Sequence, residues 1–412
     1  MLARFDDAHE LVFGLAAGRA ALHDIVAAAD GVQDTADQLA CVHHRANVLF
    51  NVMRGGAPVA GHQVDRADVL EYLRLRNRVL LERRRGELDR LPQRLSMREL
   101  VAWADDSGCP DLRRLARGFL PLTFSRRHGD PSRPWNWFEI RLGREGRAPV
   151  AYQGNWRDIF QNWEALAWSY PECLEAMIST FLGATTLDGY NPYRISHDGV
   201  DWEVPEPENP WSNIGYWSDH QIVYLMRLLE ASERFWPGRL ADLLQERIFG
   251  YADVPYRIAS YADIVRDPQQ TITFDVERDT QTAARVRELG GDGRLVRDEH
   301  GDLVLAGAGE KLILLLAAKV VNLVPMAGLW MNTQRPEWND ANNALVGRGL
   351  SVVTVAHLRR YTRLLRGLLD REIEVSDELA ALVEQLSDIL RAPDIAASLV
   401  PGAPAVTDAV RR

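Results

Sequence analysis

Apolar residues recur at three- and four-residue spacing along most of this chain, which predicts a mainly α-helical protein. Arg157 to Tyr170 carries Phe160, Trp163, Ala167 and Tyr170 on one stripe, and Pro171 interrupts it before a second helix from Cys173 to Ala184. His220 to Glu233 is amphipathic, with Ile222, Leu225, Met226 and Leu229 turned inward, and Glu310–Leu323 and Leu345–Leu369 complete the series. Residues 66–86 keep the helical spacing beneath a strongly basic outer face, the pattern of a solvated helix surface. Two stretches depart from it. Residues 294–305 read as a small β-hairpin turned at Glu299–Asp302. Gly189 to Ser218 reads as a long loop rich in aromatics, and loops of that length in a folded domain are usually functional or disordered. The aromatic content argues against disorder. No period of 20–50 residues repeats, so the chain is not a solenoid.

Composition changes near residue 120. Of twelve tryptophans, eleven fall between Trp135 and Trp338, which suggests a site walled by flat apolar faces. Residues 1–120 form a helical region, 121–390 a second helical domain that carries the aromatics, and 391–412 a weakly ordered tail; Ser125–Trp137 reads as an irregular loop.

The net charge of −10 and a pI near 5.6 argue against non-specific binding to nucleic acid or to anionic membranes. The most apolar stretch, Leu312 to Met331, is broken by Lys319, Asn322 and Pro325, whereas a membrane span needs about 20 apolar residues with few polar breaks. A buried helix is the better reading. The N-terminus has charges every few residues and is not a signal peptide, and Cys41, Cys109 and Cys173 are scattered, so a reducing, cytoplasmic setting is expected. There is no GxGxxG after a strand, no P-loop and no HExxH, so no metal, nucleotide or flavin cofactor is expected. His43 and His44 are adjacent and so face different sides of a helix, which argues against a shared metal. Lysine occurs only at Lys311 and Lys319, which reads as genome bias.

Two short motifs carry chemistry. Arg335-Pro336-Glu337-Trp338-Asn339-Asp340-Ala341-Asn342-Asn343 puts carboxylates, amides and an indole in one loop before a helical pattern. An apolar wall beside a carboxylic acid raises its pKa, and an indole face grips the C–H surface of a sugar ring, the combination that protonates a glycosidic oxygen. Gly154-Asn155-Trp156-Arg157-Asp158-Ile159-Phe160-Gln161-Asn162-Trp163 opens a helix with a donor fork and an acceptor pair, suited to vicinal sugar hydroxyls, with Gln161 one turn later. Both motifs can equally be helix N-caps, with Asn339, Asp340 or Asp158 stabilising helix starts.

In order, RD-x-x-Q from Arg157, the loop DGYNPY from Asp188, the helix start WSDH from Trp217 and EWNDANNALVG from Glu337 resemble the cellobiose phosphorylase family. Its relatives include chitobiose phosphorylase and the phosphorylase-like part of cyclic β-1,2-glucan synthases. The resemblance covers roughly residues 150–350. It implies a glucoamylase-like six-hairpin (α/α)6 toroid over residues 121–390, incomplete here, with Asp340 as general acid. Trp338 and Glu337 would line the same subsite, Arg157, Asp158 and Gln161 would hold the sugar, and Asp219 would align with an acid at a later helix start. It also implies an oligosaccharide substrate and inorganic phosphate as a co-substrate. The chain departs from the family in four places. Ala341-Asn342 stands for Gly-Met after the acid, and the phosphate-holding His and Thr-Gly have no counterpart at His357 or Thr354. Helical sequence replaces an N-terminal β-sandwich, and the chain closes too soon after Asp340, so a fragment of a longer protein is expected.

The leading expectation is an enzyme that cleaves or phosphorolyses a glycosidic bond with inversion. Hydrolysis needs a second carboxylate roughly 6.5–9.5 Å from the acid to activate water; Asp201, Glu203 and Asp219 are candidates. Phosphorolysis needs none. The alternatives are a helical carbohydrate-binding or scaffold protein without turnover, and a helical protein in which both motifs are only caps. Oligomeric state is not legible.

Overall fold

A computed structural model describes residues 8–30, 35–123, 149–192, 194–208, 214–216, 221–333, 345–393 and 395. These are mainly helical, with small antiparallel sheets of two or three strands. The first helices are α1 (Ala8–Asp30) and α2 (Gln38–Gly55), the latter capped by the Asp37 carboxylate on the Ala40 N–H at 3.0 Å. Strands β1 (Ala57–Pro58), β2 (Gln63–Asp65), β3 (Arg94–Ser96) and β4 (Leu122–Thr123) pair β1 with β4 and β2 with β3, enclosing α3 (Arg66–Arg76), α4 (Arg78–Arg83), α5 (Arg85–Leu88), α6 (Met97–Asp106) and α7 (Pro110–Arg117). Then come β5 (Gln153–Asn155), α8 (Trp156–Ala167), α9 (Leu174–Gly183), β6 (Arg194–Ser196), β7 (Gly199–Asp201), α10 (Gln221–Phe235) and α11 (Arg239–Leu243). The rest is β8 (Tyr256–Ile258), α12 (Tyr261–Arg266), β9 (Ile272–Phe274), α13 (Val276–Leu289), α14 (Ala308–Val320), β10 (Leu323–Val324), β11 (Gly328–Trp330), β12 (Leu350–Ser351), α15 (Val352–Leu368) and α16 (Asp377–Arg391).

Among the described residues two apolar cores form. The larger centres on α8, α9 and α10, where Phe160, Trp163, Ala167 and Tyr170 are all buried, as are Ile222, Leu225, Met226 and Leu229. Trp156, Phe160, Trp163 and Phe181 pack edge-on or tilted at 4.7–5.3 Å between ring centres. α2 lies along α8, and α15 packs on α10. The smaller core belongs to residues 64–119 alone: Val64, Leu73, Leu88, Leu100, Leu112 and Phe119 are among its members.

The structure refines three readings of the pattern. The basic stretch 66–86 is not one helix: α3 stops at Asn77, whose side chain caps α4 through the Leu80 N–H (2.9 Å) and donates to buried Asp292 at 3.1 Å. A distant carboxylate thus breaks a helix that local propensity would continue. The last long helix begins at Val352 rather than Leu345, because Leu350–Ser351 pairs with β11 and Ser351 then caps α15. The Gly189–Ser218 stretch holds the β6–β7 hairpin, paired to β5. The 294–305 turn forms, with Asp298 and Asp302 bonded and Arg297 bridged to Leu303. Ser125–Trp137 and nearly all of 391–412 lie outside the described residues.

The small unit is fastened to the rest by buried charge. Asp292, fully buried, accepts from Arg114 at 2.5 and 3.2 Å, and Arg78 donates to the Val286 and Arg287 carbonyls. A Cβ at Gly291 would overlap the Asp198 carbonyl, so only glycine lets the two backbones approach this closely. Among the described residues no helix is long and apolar enough to cross a membrane, and no group of three or more His, Cys, Asp or Glu is placed to hold a metal ion.

Candidate functional site

β5 delivers the chain into α8, and its register places Asn155 opposite Arg194, which in turn lies opposite Asp201. The first turn of α8, with Arg157 and Asp158, therefore grows out of the sheet end that carries Arg194 and Asp201. Asp158 is partly buried there. Gln161 is exposed and makes no hydrogen bond among the described residues, whereas its neighbour Asn162 accepts from Arg54 at 3.0 Å. The side chain of Arg157 and all of Asp219, Glu337, Trp338 and Asp340 lie outside the described residues.

Asp201 is gripped by Arg194 at 3.1 Å and Arg294 at 3.5 Å. Two residues on, Glu203 turns toward Tyr256, whose hydroxyl accepts from the Glu203 N–H (3.0 Å) and donates to the Glu203 carbonyl (2.6 Å). Burial pushes the Glu203 carboxyl up to about 8; Arg194 opposes this, and Asp201 and Glu206 add to it. A carboxyl in that state stays largely protonated at neutral pH, which suits a proton or hydrogen-bond donor and not a resting base.

A line of tyrosines leads onward. The Tyr256 ring meets the Tyr216 ring edge-on at 5.5 Å, and Tyr216 meets Tyr190 at 4.8 Å. The Tyr216 hydroxyl lies 3.0 Å from Asp188 and 2.8 Å from Thr186, so the DGYNPY loop is locked to it. Asn332 donates to the Tyr190 hydroxyl at 2.9 Å, and Thr333 donates to the Tyr216 carbonyl at 2.9 Å. Gly189 (φ +71°) lets this loop press on α14, where a Cβ would crowd Ala318 at 2.7 Å. Four segments picked out in the sequence thus have described residues in one network: 153–163 through Asn155 and the sheet, 188–203, 214–216, and the residues entering 334–344 at Thr333.

Sequence reasoning missed Tyr190, Tyr216, Tyr256, Asn332 and Thr333 as individuals, because aromatic and polar loop residues carry no signal of which will meet. Lys311 and Lys319, the only two in the chain, are both buried on α14. Lys311 donates to the Gly250 and Thr185 carbonyls at 2.7 and 3.3 Å and sits 3.3 Å from the Tyr251 ring centre; burial drives its pKa well below the usual ammonium range. Lys319 lies 5.9 Å from the Tyr190 ring centre.

A larger cleft, about 540 Å³, opens near the other end of α8, between the small unit and the helices that follow. Trp236, Tyr170 and Met97 line it with Asp105, Arg117 and Glu175, and Arg98 stacks on Trp236 at 4.7 Å.

Residues 60–121 match the family model described as glycoside hydrolase family 149 insertion domain 1. The matched stretch coincides with the unit that has its own core, and it supports a glycoside hydrolase family. No curated protein matches the chain.

Proposed function

We propose that this protein cleaves a glycosidic bond of an oligosaccharide, with the sugar held where α8, the β5–β6–β7 sheet and the 188–216 loop meet. The observation that carries this reading is the Thr333–Tyr216–Tyr256 network, which ties residues flanking the candidate acid loop to an aromatic wall and to the backbone of Glu203, whose own carboxyl burial pushes up to about 8. The family 149 match adds a second, independent support. In this reading Asp340 protonates the departing oxygen, Trp338 and Glu337 border the same subsite, Arg157, Asp158 and Asp219 hold hydroxyls, and attack comes from the opposite face with inversion. The helices would belong to a six-hairpin (α/α)6 arrangement.

Phosphorolysis is the better fit than hydrolysis, because two of the candidate bases are poorly disposed to activate water. Glu203 holds its proton at neutral pH, and Asp201 is engaged by two guanidinium groups. Inorganic phosphate as nucleophile needs no protein base. The test is release of sugar or sugar 1-phosphate from a β-glucoside panel, with and without phosphate, for wild type and Asp340→Asn. Phosphate-dependent product that Asp340→Asn abolishes, with sugar binding retained, supports the reading; equal turnover in both proteins removes Asp340 from the acid's role.

The cleft at Trp236 favours a second reading, a sugar-binding protein without turnover. That reading expects no product from either protein and loss of sugar binding in Trp236→Ala.

A further inference from the structure

A smaller pocket lies beneath the turn end of the β6–β7 hairpin, between the small unit and α9. Its volume, about 40 Å³, is room for roughly three waters at 10–15 Å³ each. Five of the polar side chains that line it come from four segments: Tyr72 and Arg76 of α3, Arg114 of α7, Tyr152 just before β5, and Ser179 of α9. Tyr72, Tyr152, Ser179 and Arg114 are each more than nine-tenths buried.

None of the five has its donors fully used among the described residues. The Ser179 hydroxyl and the Nε groups of Arg76 and Arg114 are buried without a hydrogen-bond partner. Arg76 makes no hydrogen bond among the described residues: Asp292 is 3.8 Å away, its oxygens already taken by Arg114 and Asn77, and the Tyr72 ring centre is 5.8 Å away. Asp111 reaches Arg114 from the surface side at 3.2 Å, leaving Arg76 the less satisfied cation. The hydroxyls of Tyr72 and Tyr152 make no hydrogen bond among the described residues, and burial raises the pKa of both phenols, which keeps them protonated and able to donate.

Buried donors without acceptors cost about 1–3 kcal/mol each, and charged ones more. A pocket with two guanidinium groups and four hydroxyls is rich in donors, and the neighbouring Asp292 carboxylate is already taken by Arg114 and Asn77. The ligand that satisfies it has several acceptor oxygens, negative charge and small size. We propose that this pocket binds a tetrahedral oxyanion, of the class of inorganic phosphate or sulfate, which bridges α3 and α7 of the small unit to Ser179 and Tyr152 of the larger core. The volume excludes a sugar phosphate. The site uses none of the residues proposed for cleavage and does not depend on that reading.

The experiment is calorimetric titration of the whole protein with sodium phosphate, and separately with sodium sulfate, at constant ionic strength against chloride and without sugar. Three variants accompany it. Arg76→Gln removes the under-satisfied charge. Tyr152→Phe and Ser179→Ala each remove one donor while keeping shape, so a folding defect in the first leaves the test intact. Saturable binding weakened about tenfold or more in Arg76→Gln, and by several-fold in either conservative variant, is expected, since charge-assisted bonds outweigh neutral ones. Phosphate should raise the melting temperature of wild type more than that of the variants. Preference between the two anions identifies the natural one. Absence of saturable binding, or binding that all three variants leave unchanged, overturns the assignment; the second outcome would place any phosphate bound elsewhere.

Discussion

Thr333 donates a 2.9 Å hydrogen bond to the carbonyl of Tyr216, across 117 residues of sequence. The bond ties the chain just before the 334–344 stretch to the residues just before Asp219, and Tyr216 passes the contact on to Tyr256 and Glu203. Thr333→Val removes the donor at nearly constant volume and takes this hydrogen bond from the buried Tyr216. The expected result is kcat/KM about tenfold lower on any substrate the panel identifies, with faster amide exchange near Tyr216. Unchanged kinetics would separate this bond from the site.

Glu203 sets a pH dependence with a definite sign. Its carboxyl titrates near 8 in the folded protein against an ordinary 4.5, so the native state binds the proton more tightly than the unfolded chain. The associated stability is fully present below about pH 4.5 and is lost as pH rises toward 8. Allowing for its partial exposure, the loss is on the order of 1–3 kcal/mol. Melting curves between pH 5 and 8.5 should fall more steeply for wild type than for Glu203→Gln; parallel curves would contradict the raised pKa.

Gly291→Ala drives a methyl into the Asp198 carbonyl at the seam between the two cores. The backbone must move, at a cost of about 1–3 kcal/mol. Hydrogen exchange should report the damage chiefly at residues 64–119 and 290–297, whereas uniform loosening would indicate a single cooperative unit.

Lys311→Arg puts a larger and permanently charged group into a site that disfavours charge, and should destabilise by about 1–3 kcal/mol. The guanidinium is larger than the space between the Tyr251 ring and the Gly250 carbonyl, where the Lys311 Nζ now sits 3.3 and 2.7 Å away. A melting temperature equal to wild type would show that the pocket around α14 is roomier than it looks.

Helices and their buried stripes were legible in the sequence, because a 3.6-residue period is local: Phe160, Trp163, Ala167 and Tyr170, and Ile222, Leu225, Met226 and Leu229, all face the core as the spacing required. The aromatic stretch after Asp188 stood out in composition, and Tyr190 and Tyr216 within it do pack together. Tertiary structure decided the rest. Asn77 ends a helix because Asp292, far along the chain, takes its amide; Leu350–Ser351 becomes a strand because β11 has an open edge; and Lys311 and Lys319 turn inward because α14 is buried on the face they share. Which polar groups meet, and which are left without a partner, depends on contacts between residues tens to hundreds of positions apart, and no local period encodes those distances.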